Sequence, residues 1–163
     1  MSERENILSK LNAARQEIID RLPDAESHKD KELFPGWTLK EMLAHMTGWD
    51  DANIASLRAH ILENEPDTPA RCGINKYNAI TVPRRADMDY RQVRLEWEQT
   101  RAVMVDIIRG MPEERFLQAF TLPWGEKGTV TYMLKVFIHH EHSHATDIKE
   151  WLKDPSHPLT GRH

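Results

Sequence analysis

Apolar residues recur every three or four positions over four stretches of the chain, and proline and glycine break the pattern between them. The first stretch, "SERENILSKLNAARQEIIDRL", carries Ile7, Leu8, Leu11, Ile18 and Leu22 at helical spacing, opens on a Ser2–Glu5 capping box and stops at Pro23. The second, "PGWTLKEMLAHMTGWDDANIASLRAHILE", has a Thr38–Glu41 box and an apolar stripe of Leu39, Met42, Leu43, Met46 and Trp49, closed by Pro66 and Pro69. The third, "DYRQVRLEWEQTRAVMVDIIRGM", is entered near Asp87 or Asp89 and ends at Gly110 and Pro112. The fourth, "TVTYMLKVFIHHEHSHATDIKEWLK", stops before Pro155. Helices are therefore expected near 2–22, 38–65, 89–110 and 129–153.

No stretch reads as a convincing strand, and "PEERFLQAFTLPWGEKG" is too short and irregular for a sheet. The expected fold is all-α: a four-helix bundle in one domain over 1–154, followed by a tail over 155–163. The segment "PDTPARCGINKYNAITVPRRA", residues 66–86, holds three prolines and a glycine. A connection of about 20 residues is long for a compact domain, so it is expected to cross the bundle and to carry function or a short helix. The two short connections predict antiparallel neighbours. Leu134 and Ile138, just off the main stripe, predict a second buried face and with it a homodimer.

Composition narrows the function classes. The 163 residues carry a net charge of −4 with the signs interspersed, and the pI is near 6.1. No basic run suggests a nucleic-acid surface. Cys72 is the single cysteine, which excludes an internal disulfide and a cysteine-based zinc cage. No apolar run approaches the ~20 residues of a membrane span, and "MSERENILSK" lacks an apolar signal core, so a cytoplasmic protein is expected.

The chemistry concentrates in "HHEHSH", residues 139–144, which contains a literal H-E-x-x-H. At about 100° per residue, His140 and His144 share a face with Met133, Phe137, Ile148 and Trp151. His142 falls on the opposite side, and His139 lies well off the stripe. His45 flanks the apolar stripe of the second helix, so three imidazoles can converge from two helices. One reading is hydrogen-bonded core histidines; the other is a shared metal that satisfies them together. A zinc protease is disfavoured. It needs a third ligand after the motif, which "ATDIKEWLKDPSHPLTGRH" does not supply at the required spacing, and Glu141 sits a quarter-turn or more off the ligand row. A di-iron site needs two Glu-x-x-His pairs, whereas only Glu141 with His144 is present.

Around such a site, Trp37, Trp49, Trp124 and Tyr132 are candidates for the pocket mouth, with Asp50, Asp51 and Asn53 nearby; for Trp49 and Trp151 core packing is the favoured account. Asp50 or Glu141 is a candidate to orient a ligand histidine, with simple solvation as the alternative. Arg84 and Arg85 fit either an anion site or a solvated turn, and Cys72 reads as an incidental thiol.

In "PGWTLKEMLAHMTGWD", in "LPWGEKGTV" and in the His140-x-x-x-His144 pair, in that order, the chain resembles the DinB-like superfamily of bacterial four-helix bundles. The resemblance implies that His45, His140 and His144 together bind a divalent metal. Imidazole ligands suit zinc, nickel or iron, and copper equally. It also implies an enzyme acting on a small electrophilic substrate by thiol transfer or hydrolysis, with a low-molecular-weight thiol such as mycothiol, bacillithiol or glutathione as co-reactant. Many relatives pair as homodimers. The ClbS/DfsB branch of the family implies an alternative, a metal-free protective hydrolase or toxin-sequestering protein. A bundle with a structural metal is the third reading. In the enzyme reading Trp37, Trp124 and Tyr132 contact substrate.

Overall fold

The computed structural model describes residues 1–160; residues 161–163, the end of the expected tail, lie outside the described residues. The four long helices are α1 (Glu3–Arg21), α3 (Leu39–Ile61), α5 (Tyr90–Gly110) and α7 (Val130–Trp151), within three residues of the expected bounds except that α3 ends four residues early. There the backbone of Glu63 takes a left-handed φ of 60° and turns the chain out of the helix. Capping follows the expected chemistry. The Ser2 hydroxyl accepts from the Glu5 amide at 3.1 Å, the Thr38 amide donates to Glu41 at 2.8 Å, and Asp89 and Gln92 form a reciprocal box.

The connections carry more structure than the periodicity predicts. Short helices α2 (Ala25–His28), α4 (Ile74–Thr81) and α6 (Glu113–Leu117) are joined by two hairpins, β1–β2 (Glu32–Phe34 with Trp37–Thr38) and β3–β4 (Phe120–Thr121 with Lys127–Gly128). Gly36, at φ 79°, follows Pro35 in a tight turn of the kind that needs glycine, and this turn delivers Trp37 to the head of α3. The tail folds back: the Leu159 amide donates to the Leu33 carbonyl at 2.8 Å.

Side-chain contacts fix the directions of the long helices. Glu3 meets Thr131, Arg15 meets Glu141, and Arg21 reaches the Ala145 carbonyl, so α1 and α7 run parallel. Lys40 reaches the Ala86 carbonyl, Asp50 meets Arg101, and His60 donates to the Arg115 carbonyl, so α3 and α5 also run parallel. Arg4 bonds the Met111 carbonyl while Arg15 bonds that of Trp97, which sets the two pairs antiparallel. The order is up-down-down-up. Helices joined by short connections are antiparallel as expected, but the most extensive packing is of α1 on α7 and of α3 on α5. The long segment returns the chain along the bundle to start α5, and carries α4 on the way.

A layer of charge divides the core. One apolar cluster holds Leu8, Leu11, Leu57, Met104, Ile108 and Met133; the other holds Ile18, Met42, Val93, Trp97, Ala145 and Ile148. Between them, on all four long helices, stand Arg15, Asp50, Arg101 and Glu141, each at most 5% exposed. Arg15 grips Glu141 through Nε at 3.0 Å and Nη2 at 2.6 Å, and Asp50 at 3.2 Å. Arg101 Nη2 reaches Glu141 at 2.6 Å and Asp50 at 3.2 Å. The Arg15 guanidinium lies 4.1 Å from the centre of the Trp97 ring. Asp50 and Glu141 are thus neither solvated nor placed to orient a ligand histidine; they neutralise two arginines inside the bundle. Burial disfavours the Glu141 carboxylate, but Arg101 and Arg15 outweigh it and hold its pKa well below the ordinary range.

The residues that suggested a second apolar face are used inside: Leu134 is fully buried and Ile138 packs on the same cluster. No helix among the described residues is long and apolar enough to cross a membrane.

Removing one member of the charged layer strands its partners. Arg101→Ala is expected to cost roughly 3–5 kcal/mol, measured by urea denaturation, because two carboxylates are left with one buried arginine. Acid should act on the same layer. Folded Glu141 binds fewer protons than unfolded Glu141 at any pH between its depressed pKa and about 4.3, so its contribution is complete above that upper limit and is lost as pH falls below it. A urea midpoint that does not fall between pH 5 and pH 3, or that falls equally in Glu141→Gln, contradicts this assignment.

Candidate metal centre

Glu141 faces the charged layer, so the helical phase of α7 turns its neighbours His140 and His144 toward α3 and α4. The buried row of α7 runs through Leu134, Phe137, Glu141, His144, Ala145 and Ile148. Within it His144 is 1% exposed, while His140 is partly buried at its edge. His45, on α3, is completely buried. His140 Nε2 lies 3.0 Å from His45 Nε2 and 3.0 Å from His144 Nε2. A ligand nitrogen from each ring lies within 4.8 Å of the others. His139 is exposed, and exposed His142 donates from Nδ1 to Glu17 at 2.6 Å, as the helical phase predicted.

The outer nitrogens show how these rings are oriented. His45 Nδ1 is 2.8 Å from Asn78 Oδ1, on α4, and the same oxygen accepts from Trp49 Nε1 at 3.1 Å. His144 Nδ1 is 3.3 Å from Asp147 Oδ2, though not in hydrogen-bonding geometry. Burial, followed by the proximity of His144, pushes the His140 imidazole down to about 3, so the ring is neutral at physiological pH.

Three imidazoles in this arrangement fit a divalent cation. With Nδ1–H of His45 directed at Asn78, its Nε2 presents a lone pair. A single N–H on His140 cannot point at both neighbouring nitrogens at once, whereas a cation within reach of all three uses every lone pair. The 3.0 Å spacings are close to the roughly 3.0–3.4 Å between adjacent nitrogens bound at about 2.1 Å.

The sequence pattern of the DinB superfamily matches residues 6–148. The chain belongs to the DinB superfamily. Among solved structures, the mycothiol-dependent maleylpyruvate isomerase superposes on this DinB-superfamily chain with a TM-score of 0.73 and 17% identity, covering 90% of this chain and 61% of that one. A histidine-to-alanine mutant of that isomerase gives a TM-score of 0.72 and 16% identity with the same coverage. The chain thus spans about three-fifths of that enzyme's length, and at this identity the likeness is one of fold. No curated protein sequence matches.

Beside the histidines the DinB-superfamily chain has a cleft of about 1330 Å³, lined by Trp37, Cys72, Ile74, Lys76, Asn78 and Val82 among others. Trp37 stands 5.2 Å from the His45 ring, between centroids. Cys72 is exposed on the cleft wall, with Sγ 3.4 Å from the Pro69 carbonyl. Trp124 packs on Trp49 and Phe137, at 6.5 and 6.1 Å, and Phe137 in turn meets His140 at 6.1 Å. Tyr132 is exposed, and its hydroxyl lies 3.2 Å from Glu126, which also accepts from Trp124 Nε1 at 2.7 Å. Trp49 and Trp151 are core residues, as the sequence indicated.

Three candidates turn out to be structural. Arg85 is buried and bonds Asp51 at 2.7 Å and Glu96 at 2.7 and 3.1 Å, so Arg85 is already engaged by carboxylates instead of holding a substrate anion, and Asp51 serves as its partner. Asn53 is completely buried within α3 rather than at a pocket mouth. Asn78 was not apparent from the sequence, because nothing in a loop-like segment marks one asparagine over its neighbours.

The helix α4 is held against α3 at Gly48. The Tyr77 hydroxyl donates to the Gly48 carbonyl at 2.6 Å, and a Cβ on Gly48 would lie 2.9 Å from Cβ and Oγ1 of Thr81. Gly48→Ala should therefore push α4 outward and destabilise by about 1–3 kcal/mol of overpacking, which exceeds the ~1 kcal/mol that alanine gains in helix propensity. Urea denaturation, with the NMR signals of the His45 ring as a local reporter, checks this; unchanged stability and unchanged signals would contradict it.

Proposed function

We propose that this chain is a metal-dependent enzyme that acts on a small electrophilic molecule by thiol transfer or hydrolysis, with His45, His140 and His144 as ligands of a divalent ion. The observation that carries the reading is the convergence of three imidazoles from two helices, with His140 Nε2 3.0 Å from both His45 Nε2 and His144 Nε2, beside a cleft. Three protein ligands leave coordination positions free for a reactant, the hallmark of a catalytic rather than a structural site. When bound, the ion would supply Lewis acidity and lower the pKa of a coordinated water or thiol toward neutrality; zinc, nickel and iron all suit the imidazole set.

The protein's own groups prepare that chemistry. Asn78 holds His45, the charged layer fixes the rotation of α7 and hence of His140 and His144, and burial keeps His140 unprotonated. Trp37 packs over His45 and forms one wall of the cleft. The cleft is larger than the ~300–1,000 Å³ of ordinary ligand pockets, with room for a co-reactant beside the substrate. A low-molecular-weight thiol is the favoured co-reactant, in keeping with the mycothiol dependence of the isomerase that shares the fold. Trp37 is assigned to substrate contact at the cleft. Trp124 and Tyr132, linked through Glu126, would form a second wall behind Phe137.

His45→Ala and His140→Ala test the reading. Each should abolish metal binding, read by elemental analysis, and thiol conjugation or hydrolysis of model electrophiles, with the helical circular dichroism largely kept. Full activity in chelator-stripped protein would refute it in favour of metal-free chemistry.

A further inference from the structure

We propose that Asn78 is the positioning residue that makes His45 a metal ligand, an inference that rests on the three-histidine reading above. Its side chain is 4% exposed, and Oδ1 receives two contacts, Trp49 Nε1 at 3.1 Å and His45 Nδ1 at 2.8 Å. An indole nitrogen can only donate. The atom facing Trp49 is therefore the carbonyl oxygen of Asn78, because the flipped amide would set N–H against N–H. That oxygen can only accept, so His45 Nδ1 must carry its proton. An imidazole that binds a metal has one proton to place, so Nε2, 3.0 Å from His140 Nε2, is left with its lone pair directed into the cluster.

The chain of constraint thus runs from Trp49 through Asn78 to the metal-facing nitrogen. It also crosses between elements: Trp49 and His45 lie one turn apart on α3, whereas Asn78 comes from α4 in the long connection. The helix α4 is part of the metal centre through this one oxygen, and its seat at Gly48 sets where that oxygen lies. Asn78 Nδ2 has no hydrogen-bond partner among the described residues, so the function of the side chain here is that of an acceptor.

A substitution follows from this. Asn78→Asp keeps an acceptor oxygen for both donors and loses a nitrogen that bonds nothing, whereas Asn78→Ala removes the acceptor. The protein and both variants are titrated with Zn²⁺ in competition with a chelator of known affinity. The His45 tautomer is read in the metal-free wild type by long-range ¹H–¹⁵N NMR. The expected results are a protonated Nδ1 and an unprotonated Nε2 on His45, a loss of about 10- to 100-fold in Zn²⁺ affinity in Asn78→Ala, and wild-type or tighter affinity in Asn78→Asp. Wild-type affinity in a folded Asn78→Ala, an Asn78→Asp no better than Asn78→Ala, or a proton on His45 Nε2 would overturn the proposal while leaving the metal reading intact. If the wild type itself fails to bind Zn²⁺, the metal reading fails, and this inference with it.

Discussion

The bundle is organised around two buried arginines and two buried carboxylates, one from each long helix. Arg15, Asp50, Arg101 and Glu141 sum to zero charge, and each is desolvated enough that losing a partner would leave an unpaired ion in the core. Apolar contacts tolerate sliding by a turn or rotation by a residue far better than this layer does. The four groups meet only when the helices share one height and one rotation. The cost of dehydrating the ions is offset by multiple short hydrogen bonds and by the Trp97 face beneath Arg15. The layer therefore specifies the arrangement more than it adds to net stability.

The histidine centre depends on that layer through α7. Glu141 and His140 are adjacent in sequence, so drawing Glu141 to the two arginines turns His140 about 100° away from them. His144, one turn further, follows His140, and the two rings present their Nε2 atoms toward His45. The opposite wall comes from α4, seated on the close approach at Gly48 and tied to His45 by Asn78. One strand of the first hairpin adds Trp37 over the His45 ring. Helices and a hairpin hold the nitrogens, and Trp37 and Asn78, which both touch His45, also line the neighbouring cleft.

Much of this was legible in the sequence because helical periodicity and capping are local signals. The four long helices, the inward phase of His140 and His144 and the outward phase of His139 and His142 all follow from spacing. Glu141 shows where that reasoning stops. A charged residue beside an apolar row reads as solvated unless its partners are known, and Arg15 and Arg101 lie 126 and 40 residues away along the chain. A signal was present nonetheless: Arg15 interrupts the row between Leu11 and Ile18, and Arg101 the row between Trp97 and Met104. Leu134 is buried within the chain for the complementary reason, since an apolar residue off one stripe packs on a neighbouring helix as readily as on another protomer. The role of Asn78 depends on where a long connection docks, which composition does not encode.

The central claim is that three imidazoles on two helices bind one divalent ion. X-ray absorption spectroscopy of the protein loaded with one equivalent of nickel or zinc tests it most directly. The account predicts three histidine nitrogen scatterers at about 2.0–2.1 Å, completed by light oxygen or nitrogen atoms, with one imidazole lost in His140→Ala. A sulfur scatterer in the first shell, a spectrum unchanged by His140→Ala, or a failure to retain the ion would contradict it.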